Sequence, residues 1–333
     1  MVMTALDRWR QALAEWRIPP HLLDRAAESP WVLPRQVFIR RCDAQLAHPI
    51  GATFHQSLAA LSSLNTTPEP GIPPDSTTAP DLSIATKTGA VLGSGAVLRR
   101  EAGTGLGGDG LPGGGAVLGD GTVLDVGAAA GATSLPLAAA GRVAHLTAVD
   151  ADAELLDACA DRAARIGVPF DRVEGLWPDC ADKAPIADIV ICGNVLYNVA
   201  DLGPFVAALT NHARHLVFAE TAVRHPLTEL NPLWERFHGV KRPDGPGLDD
   251  LAAALTELGI RPEVTRWSRP PEAEYADFAE LVDVVRRRLC LPPEAGPDVD
   301  DALRDLGHSP DLPPDLGSSG RGLATLAWPG TAD

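Results

Sequence analysis

Apolar and polar positions along the chain follow successive rhythms. In residues 1–63 the apolar positions recur at helical intervals. Leu6, Trp9, Leu13 and Trp16 stand three or four residues apart and form one stripe on a helix. Pro19-Pro20 closes that helix, His21–Ala27 begins another, and Val37–Leu46 and Phe54–Leu64 read as further helices. From residue 122 short apolar runs alternate with amphipathic stretches. Thr122–Val126, His145–Val149, Phe170–Val173, Ala187–Cys192, His215–Glu220, Pro262–Trp267 and Leu323–Trp328 read as strands. Ala132–Ala140, Ala153–Ile166, Leu202–His212, Leu248–Leu258 and Tyr275–Leu289 read as helices, and Gly167 and Gly259 close two of them. Such alternation predicts an α/β fold with an open, mostly parallel sheet and helices on both faces. Ligands of these sheets bind beyond the carboxyl ends of the strands.

Between the two regions the pattern disappears. Residues 64–122 hold 14 Gly and 6 Pro among 59 positions. That composition cannot bury enough apolar surface to offset its ordering entropy. A flexible insertion, 64–121, is therefore expected between a helical N-terminal cap, 1–63, and the α/β domain, 122–330. A local duplication lies inside it: Gly89-Ala-Val-Leu-Gly and Gly95-Ala-Val-Leu return as Gly115-Ala-Val-Leu-Gly and Gly121-Thr-Val-Leu. Gly103-Thr-Gly-Leu-Gly-Gly108 matches G-x-G-x-x-G, but the run Asp109-Gly-Leu-Pro-Gly-Gly-Gly115 after it cannot start the helix that a phosphate site requires.

Charge sharpens this division. Lys and Arg number 28 against 44 Asp and Glu, a net charge of −16. The segments carry +2 over 1–63, −3 over 64–122 and −15 over 123–333. An acidic domain repels phosphate backbones, so nucleic acid is disfavoured as a partner. An anionic partner would have to be sought at the mildly basic cap. No apolar run reaches the roughly 18 residues of a membrane span. The start of the chain lacks a basic stretch followed by an apolar one, so a cytoplasmic protein without a membrane partner is expected. Cys42, Cys159, Cys180, Cys192 and Cys290 are widely spaced with no C-x-x-C, which predicts reduced, buried thiols and no metal centre.

Candidate chemistry concentrates at Val123-Leu-Asp125-Val-Gly127-Ala-Ala-Ala-Gly131. An apolar strand ends, an acid sits in its last turn, and small residues cross into a helix. Glycines permit the tight turn and let a ligand approach the backbone. The next strand ends in Val149-Asp150, 25 residues after Asp125. An acid there is placed to accept both hydroxyls of a ribose, and equally to cap the helix that begins near Ala151.

On these residues the chain resembles the class I S-adenosylmethionine-dependent methyltransferases from about Thr122 to Trp267, with Leu323–Trp328 as a candidate for the last strand. The resemblance implies a Rossmann-like methyltransferase fold with a seven-stranded sheet and S-adenosyl-L-methionine as cofactor. Asp125 corresponds to the acid that contacts the donor's amino group through the loop. Gly127 and Gly131 correspond to the outer glycines of the turn, and Ala129 replaces the middle one. Asp150, with Ala151 beside it, corresponds to the ribose-binding acid. Asn194 in Cys192-Gly-Asn-Val-Leu-Tyr197-Asn198 corresponds to the position facing the methionine end and the methyl acceptor. Trp177 is near where the family covers adenine. Methyl transfer is an in-line displacement that depends mainly on alignment, so no metal is required.

Asn194, Tyr197, His225 and His238 are the candidate catalytic residues. The histidines follow the fifth strand, where the acceptor pocket often lies, and histidine titrates near neutrality. Arg40-Arg41 and His55 are candidates for a lid over the donor site. Arg286-Arg287-Arg288 reads as a solvated helix end that complements the helix dipole. The acceptor is expected to be a small molecule. An RNA or protein methyltransferase, a non-catalytic S-adenosylmethionine-binding module and a nicotinamide-dependent oxidoreductase are the alternatives. Deleting residues 66–112 is predicted to leave donor binding intact when measured by calorimetry. Loss of folding in that variant would contradict the expected insertion.

Overall fold

A computed structural model of the chain describes residues 3–64 and 121–333. The expected insertion, its internal duplication and the Gly103–Gly108 segment lie outside the described residues, apart from the insertion's first and last positions. The cap comprises α1 (Ala5–Ala14), α2 (Pro20–Leu23), α3 (Arg35–Ala47) and α4 (Ala52–Leu64). The α/β domain then runs β1 (Gly121–Val126), α5 (Leu135–Ala139), β2 (Val143–Asp150), α6 (Ala153–Ile166), β3 (Phe170–Glu174), β4 (Ala187–Gly193), α7 (Leu202–His212) and β5 (Ala213–Ala222). It continues with α8 (Asn231–His238), α9 (Leu248–Glu257), β6 (Glu263–Ser268), α10 (Phe278–Arg288), α11 (Gly296–Asp305) and β7 (Gly322–Pro329).

The strands form one seven-stranded sheet in the order β3-β2-β1-β4-β5-β7-β6. Neighbouring strands from β3 to β5 pair in parallel, and β7 runs antiparallel to both β5 and β6. The chain leaves β1 toward β2 on one side and later returns to β4 on the other. That reversal opens a crevice at the carboxyl ends of β1 and β4, the general ligand position of such sheets. The central strands are buried on both faces. Leu124 and Val190 belong to one apolar cluster, and Val123 and Ile189 to another on the opposite face.

Local chemistry explains the element boundaries. Asp152 caps α6 by accepting from the backbone N–H groups of Glu154 and Leu155, and Gly167 ends it in the left-handed region at φ 81°. Helix α5 is shorter than its apolar pattern predicts. Pro136 lacks an N–H and suits the first turn of a helix, so the regular helix starts only at Leu135. Helix α10 starts at Phe278, not Tyr275, because the Asp277 side chain accepts from the N–H of Glu280 and fixes the start. Helix α11 went unread in the sequence, although Val299, Ala302 and Leu303 form its buried stripe.

The cap packs into the domain. Trp9 is fully buried, stacks near Tyr197 at 5.6 Å between ring centres, and donates from Nε1 to the carbonyl of Val199. Arg162 makes a two-pronged bond to Asp43, with Nε and Nη2 each 2.8 Å from a carboxylate oxygen. The end of α10 departs from the solvated surface expected of it. Arg286 is buried and donates to Glu28 and Asp283, and burial lowers the pKa of Arg288. All five cysteines are free and buried. Among the described residues, no helix is long and apolar enough to cross a membrane.

Candidate active site

The site begins with the turn after β1. Gly127 takes φ 73°, and a side chain there would run into Val195 Cγ2. The N–H groups of Gly127 and Ala128 both donate to the carbonyl of Val149, at 2.8 and 3.0 Å. The next N–H, that of Ala129, donates to Asp150 Oδ2 at 2.8 Å. Three successive backbone donors therefore clamp the turn onto the end of β2. Ala129 holds φ 46°, a region that costs a residue with a Cβ about 1–2 kcal/mol. The hydrogen bond to Asp150 fixes that conformation.

Asp150 is half-buried, and its Oδ1 accepts from the N–H of Asp152 at 2.9 Å. A carboxylate offers about four acceptor positions, and these two bonds leave capacity for further donors. The free side faces a cavity of about 410 Å³. Gly127, Ala129, Asp150, Ala151, Trp177 and Asn194 all contribute to its wall. Trp177 is held in place by its Nε1–H, which donates to the carbonyl of Phe205 at 3.2 Å. Asn194 follows β4 in the left-handed conformation, φ 59°, which asparagine adopts more readily than most residues. Its N–H donates to the carbonyl of Glu220 at 2.7 Å, and its Nδ2 donates to Glu220 Oε1 at 2.8 Å.

The other expected site residues lie elsewhere. Asp125 is buried beneath the turn and accepts from the Ser134 hydroxyl at 2.6 Å, while its Oδ1 has no hydrogen-bond partner. Burial, with the nearby Asp150 charge adding to it, pushes the Asp125 pKa up to about 7. Gly131 is packed between Leu135 and Cys159 at the start of α5. Both residues shape the turn from below and neither lines the cavity.

The three expected acceptor-side residues are structural in placement. The Tyr197 hydroxyl donates to the carbonyl of Ala222 at 2.9 Å, and burial raises its pKa. His225 stacks on Trp16 at 4.0 Å between ring centres, and its Nδ1 accepts from the N–H of Leu227. Burial, helped by the Arg242 charge, pushes its pKa down to about 4, so the ring is neutral near pH 7. His238 Nε2 is 2.7 Å from the carbonyl of Leu289 and donates to it. These groups are held by protein partners, and none is part of the cavity wall.

The cap supplies residues that sequence reasoning placed less sharply. Phe38 and Arg41 of α3 line the cavity, so α3 covers the crevice. Arg40 turns away to bond Glu280, and His55 lies edge-on to Phe54. Glu220 and Arg269 were not anticipated. Glu220 is buried at the end of β5, with Arg41 Nη2 at 3.6 Å and Arg269 Nη2 at 3.7 Å from its Oε1. Its signal in the sequence is a lone acid in the apolar run Leu216-Val-Phe-Ala-Glu220.

Residues 124–217 match a family model described as a methyltransferase domain. The matched stretch runs from β1 into β5, so the crevice described above lies in a region similar to methyltransferase domains. No curated protein matches the chain by sequence. Among solved structures, the chain is similar to magnesium protoporphyrin IX methyltransferase from Synechocystis PCC 6803 with bound SAH. The identity is 21%, covering 46% of this chain and 69% of that one, with a TM-score of 0.37. For the YcgJ protein from Bacillus subtilis the values are 17%, 64%, 92% and 0.40. For precorrin-6y C5,15-methyltransferase from Geobacter metallireducens GS-15 they are 14%, 64%, 83% and 0.36.

The buried Asp125 carboxyl generates a prediction about stability. It keeps its proton to about pH 7 in the fold but loses it near its ordinary 3.8 when unfolded. The folded state thus binds more protons between those values, and stability falls as pH rises through them. Asp125→Asn keeps an acceptor for Ser134 and removes the titration. The unfolding free energy lost between about pH 4.5 and about pH 7.5, measured by denaturant titration, should be smaller in the variant than in the parent by an amount on the order of a few kcal/mol. An equal difference in both proteins would contradict a buried, neutral Asp125.

Proposed function

We propose that the chain transfers a methyl group from S-adenosylmethionine to a small-molecule acceptor. The observation that carries this reading is the Asp150 carboxylate. It is anchored by two backbone N–H groups and still open to a cavity at the carboxyl ends of β1, β2 and β4. A ribose diol is a matching donor pair for such a carboxylate. Phe38, Leu176, Trp177 and Phe205 provide flat or apolar wall for an adenine ring. Asn194 stands at the other end of the cavity, toward Glu220, where the methionine portion belongs.

The donor, when bound, supplies an activated methyl group on a sulfonium. The residues of the chain need only hold it, exclude water and align the acceptor, since alignment carries most of such a displacement. Helix α3 serves the second task by covering the crevice with Phe38 and Arg41. A crevice partly covered by α3 favours a small acceptor over a polymer. Asn194 is held rigid by its two bonds to Glu220, so its backbone carbonyl and side-chain oxygen have a defined position at the methyl end.

Calorimetric titration should show binding of S-adenosylmethionine and S-adenosylhomocysteine and none of NAD. Asp150→Ala should weaken the donor by about 1.5–3 kcal/mol, roughly ten- to a hundredfold, the scale of hydrogen bonds to a charged group. Binding of NAD alone, or an unchanged dissociation constant in Asp150→Ala, would overturn the reading.

A further inference from the structure

A second, smaller cavity of about 20 Å³ lies beside the first. Arg41, Ala132 and Thr133 line both and form the partition between them. Its far side is made by Glu220, Thr53, Phe54 and Trp267. Its position next to Asn194 and the end of β5 puts it at the methyl end of the crevice. Its volume admits about one water as it stands, so a larger group enters only if the wall moves. The partition is movable on one side only. Arg41 is a long, partly exposed side chain, whereas Ala132 and Thr133 belong to the turn before α5.

The charges around this chamber are unusual. Arg41 and Arg269 both approach the same oxygen of Glu220, and that oxygen already accepts from Asn194 Nδ2 at 2.8 Å. At 3.6 and 3.7 Å neither guanidinium reaches hydrogen-bond length. Arg269 is 3% exposed, and its Nη2 has no hydrogen-bond partner. A buried guanidinium donor without an acceptor is costly, and its fork geometry matches a carboxylate. Glu272 is the other acid near Arg41. It is half-buried, and the same burial raises its pKa, which weakens it as a counter-charge.

Glu220 therefore pairs loosely with both arginines and leaves Arg269 Nη2 without a hydrogen bond. We propose that this chamber is the acceptor subsite and that it takes the carboxylate of a small organic acid, bound by Arg41 with Arg269 behind it. The proposal rests on the methyltransferase reading of the adjoining cavity. The carboxylate enters as Arg41 swings off Glu220, and the rest of the acceptor extends past Thr133 toward Asn194. Trp267 and Phe54 give the apolar wall. The anion is drawn to the cap's arginine although the domain as a whole is acidic, in keeping with the +2 charge of residues 1–63.

The test uses the full chain saturated with S-adenosylhomocysteine and labelled with 5-fluorotryptophan. Trp267→Phe identifies the Trp267 resonance among the seven tryptophans. Acetate and benzoate are the probes, with acetamide and benzamide as neutral matches. A saturable shift of the Trp267 resonance is expected with at least one carboxylate and not with its amide. Arg41→Gln should weaken it at least about tenfold, and Arg41→Lys, which keeps the charge but not the fork, should weaken it less. Arg269→Gln, which removes the second guanidinium beside Glu220 although Arg269 lines neither cavity, should also weaken it. Equal action of acid and amide, no response to either carboxylate, or unchanged affinity in Arg41→Gln would overturn the proposal. Calorimetry with S-adenosylhomocysteine on the same samples separates the two readings. Its binding without carboxylate recognition defeats only the acceptor subsite, and its failure in the parent protein defeats the methyltransferase reading.

Discussion

The clamp between the turn after β1 and the end of β2 organises the crevice. Parallel pairing brings Val126 beside Val149, and the turn that follows must then present its N–H groups to the last residues of β2. Gly127 and Ala128 use the Val149 carbonyl, and Ala129 uses the Asp150 side chain. A backbone donor left unpaired in a partly buried turn would cost on the order of 1–3 kcal/mol. Asp150 is thereby a structural group whose remaining lone pairs are left for the proposed ribose contact. The same bond holds Ala129 in a conformation that usually selects glycine.

Much of this was legible in the chain because strand periodicity and turn chemistry are local properties. Leu202–His212 and Ala153–Ile166 have the same limits in the sequence reading and in the structure, the second bounded by Asp152 and Gly167. The acid at the end of β2 and the small residues after β1 could be read together because their spacing reflects one strand–helix–strand unit. Helix α11 was harder. Its apolar stripe of Val299, Ala302 and Leu303 is short and lies among acidic residues, so its buried face emerges only where α10 packs on it.

The structure places Tyr197, His225 and His238 off the cavity wall for a physical reason. The histidines were singled out for their titration and Tyr197 for its place in the loop after β4, but burial and local partners decide what each group can do. His225 is stacked on Trp16 and kept neutral, His238 spends its donor on a backbone carbonyl, and Tyr197 does the same. Asp125 shows the same principle inside the turn, where desolvation pushes its pKa up to about 7 and Ser134 is its partner. The groups that meet around Glu220 come from distant parts of the chain: Arg41 from the cap, Asn194 after β4 and Arg269 after β6. Such a convergence depends on tertiary packing, and no spacing along the sequence encodes it.

The most direct measurement of the central claim is a crystal structure of the protein bound to S-adenosylhomocysteine. The ligand should lie in the crevice at the carboxyl ends of β1, β2 and β4, with ribose hydroxyls within hydrogen-bond distance of the Asp150 carboxylate. The bond from the Ala129 N–H to that carboxylate should persist. A ligand bound outside the crevice, or one whose ribose leaves Asp150 uncontacted, would contradict the account.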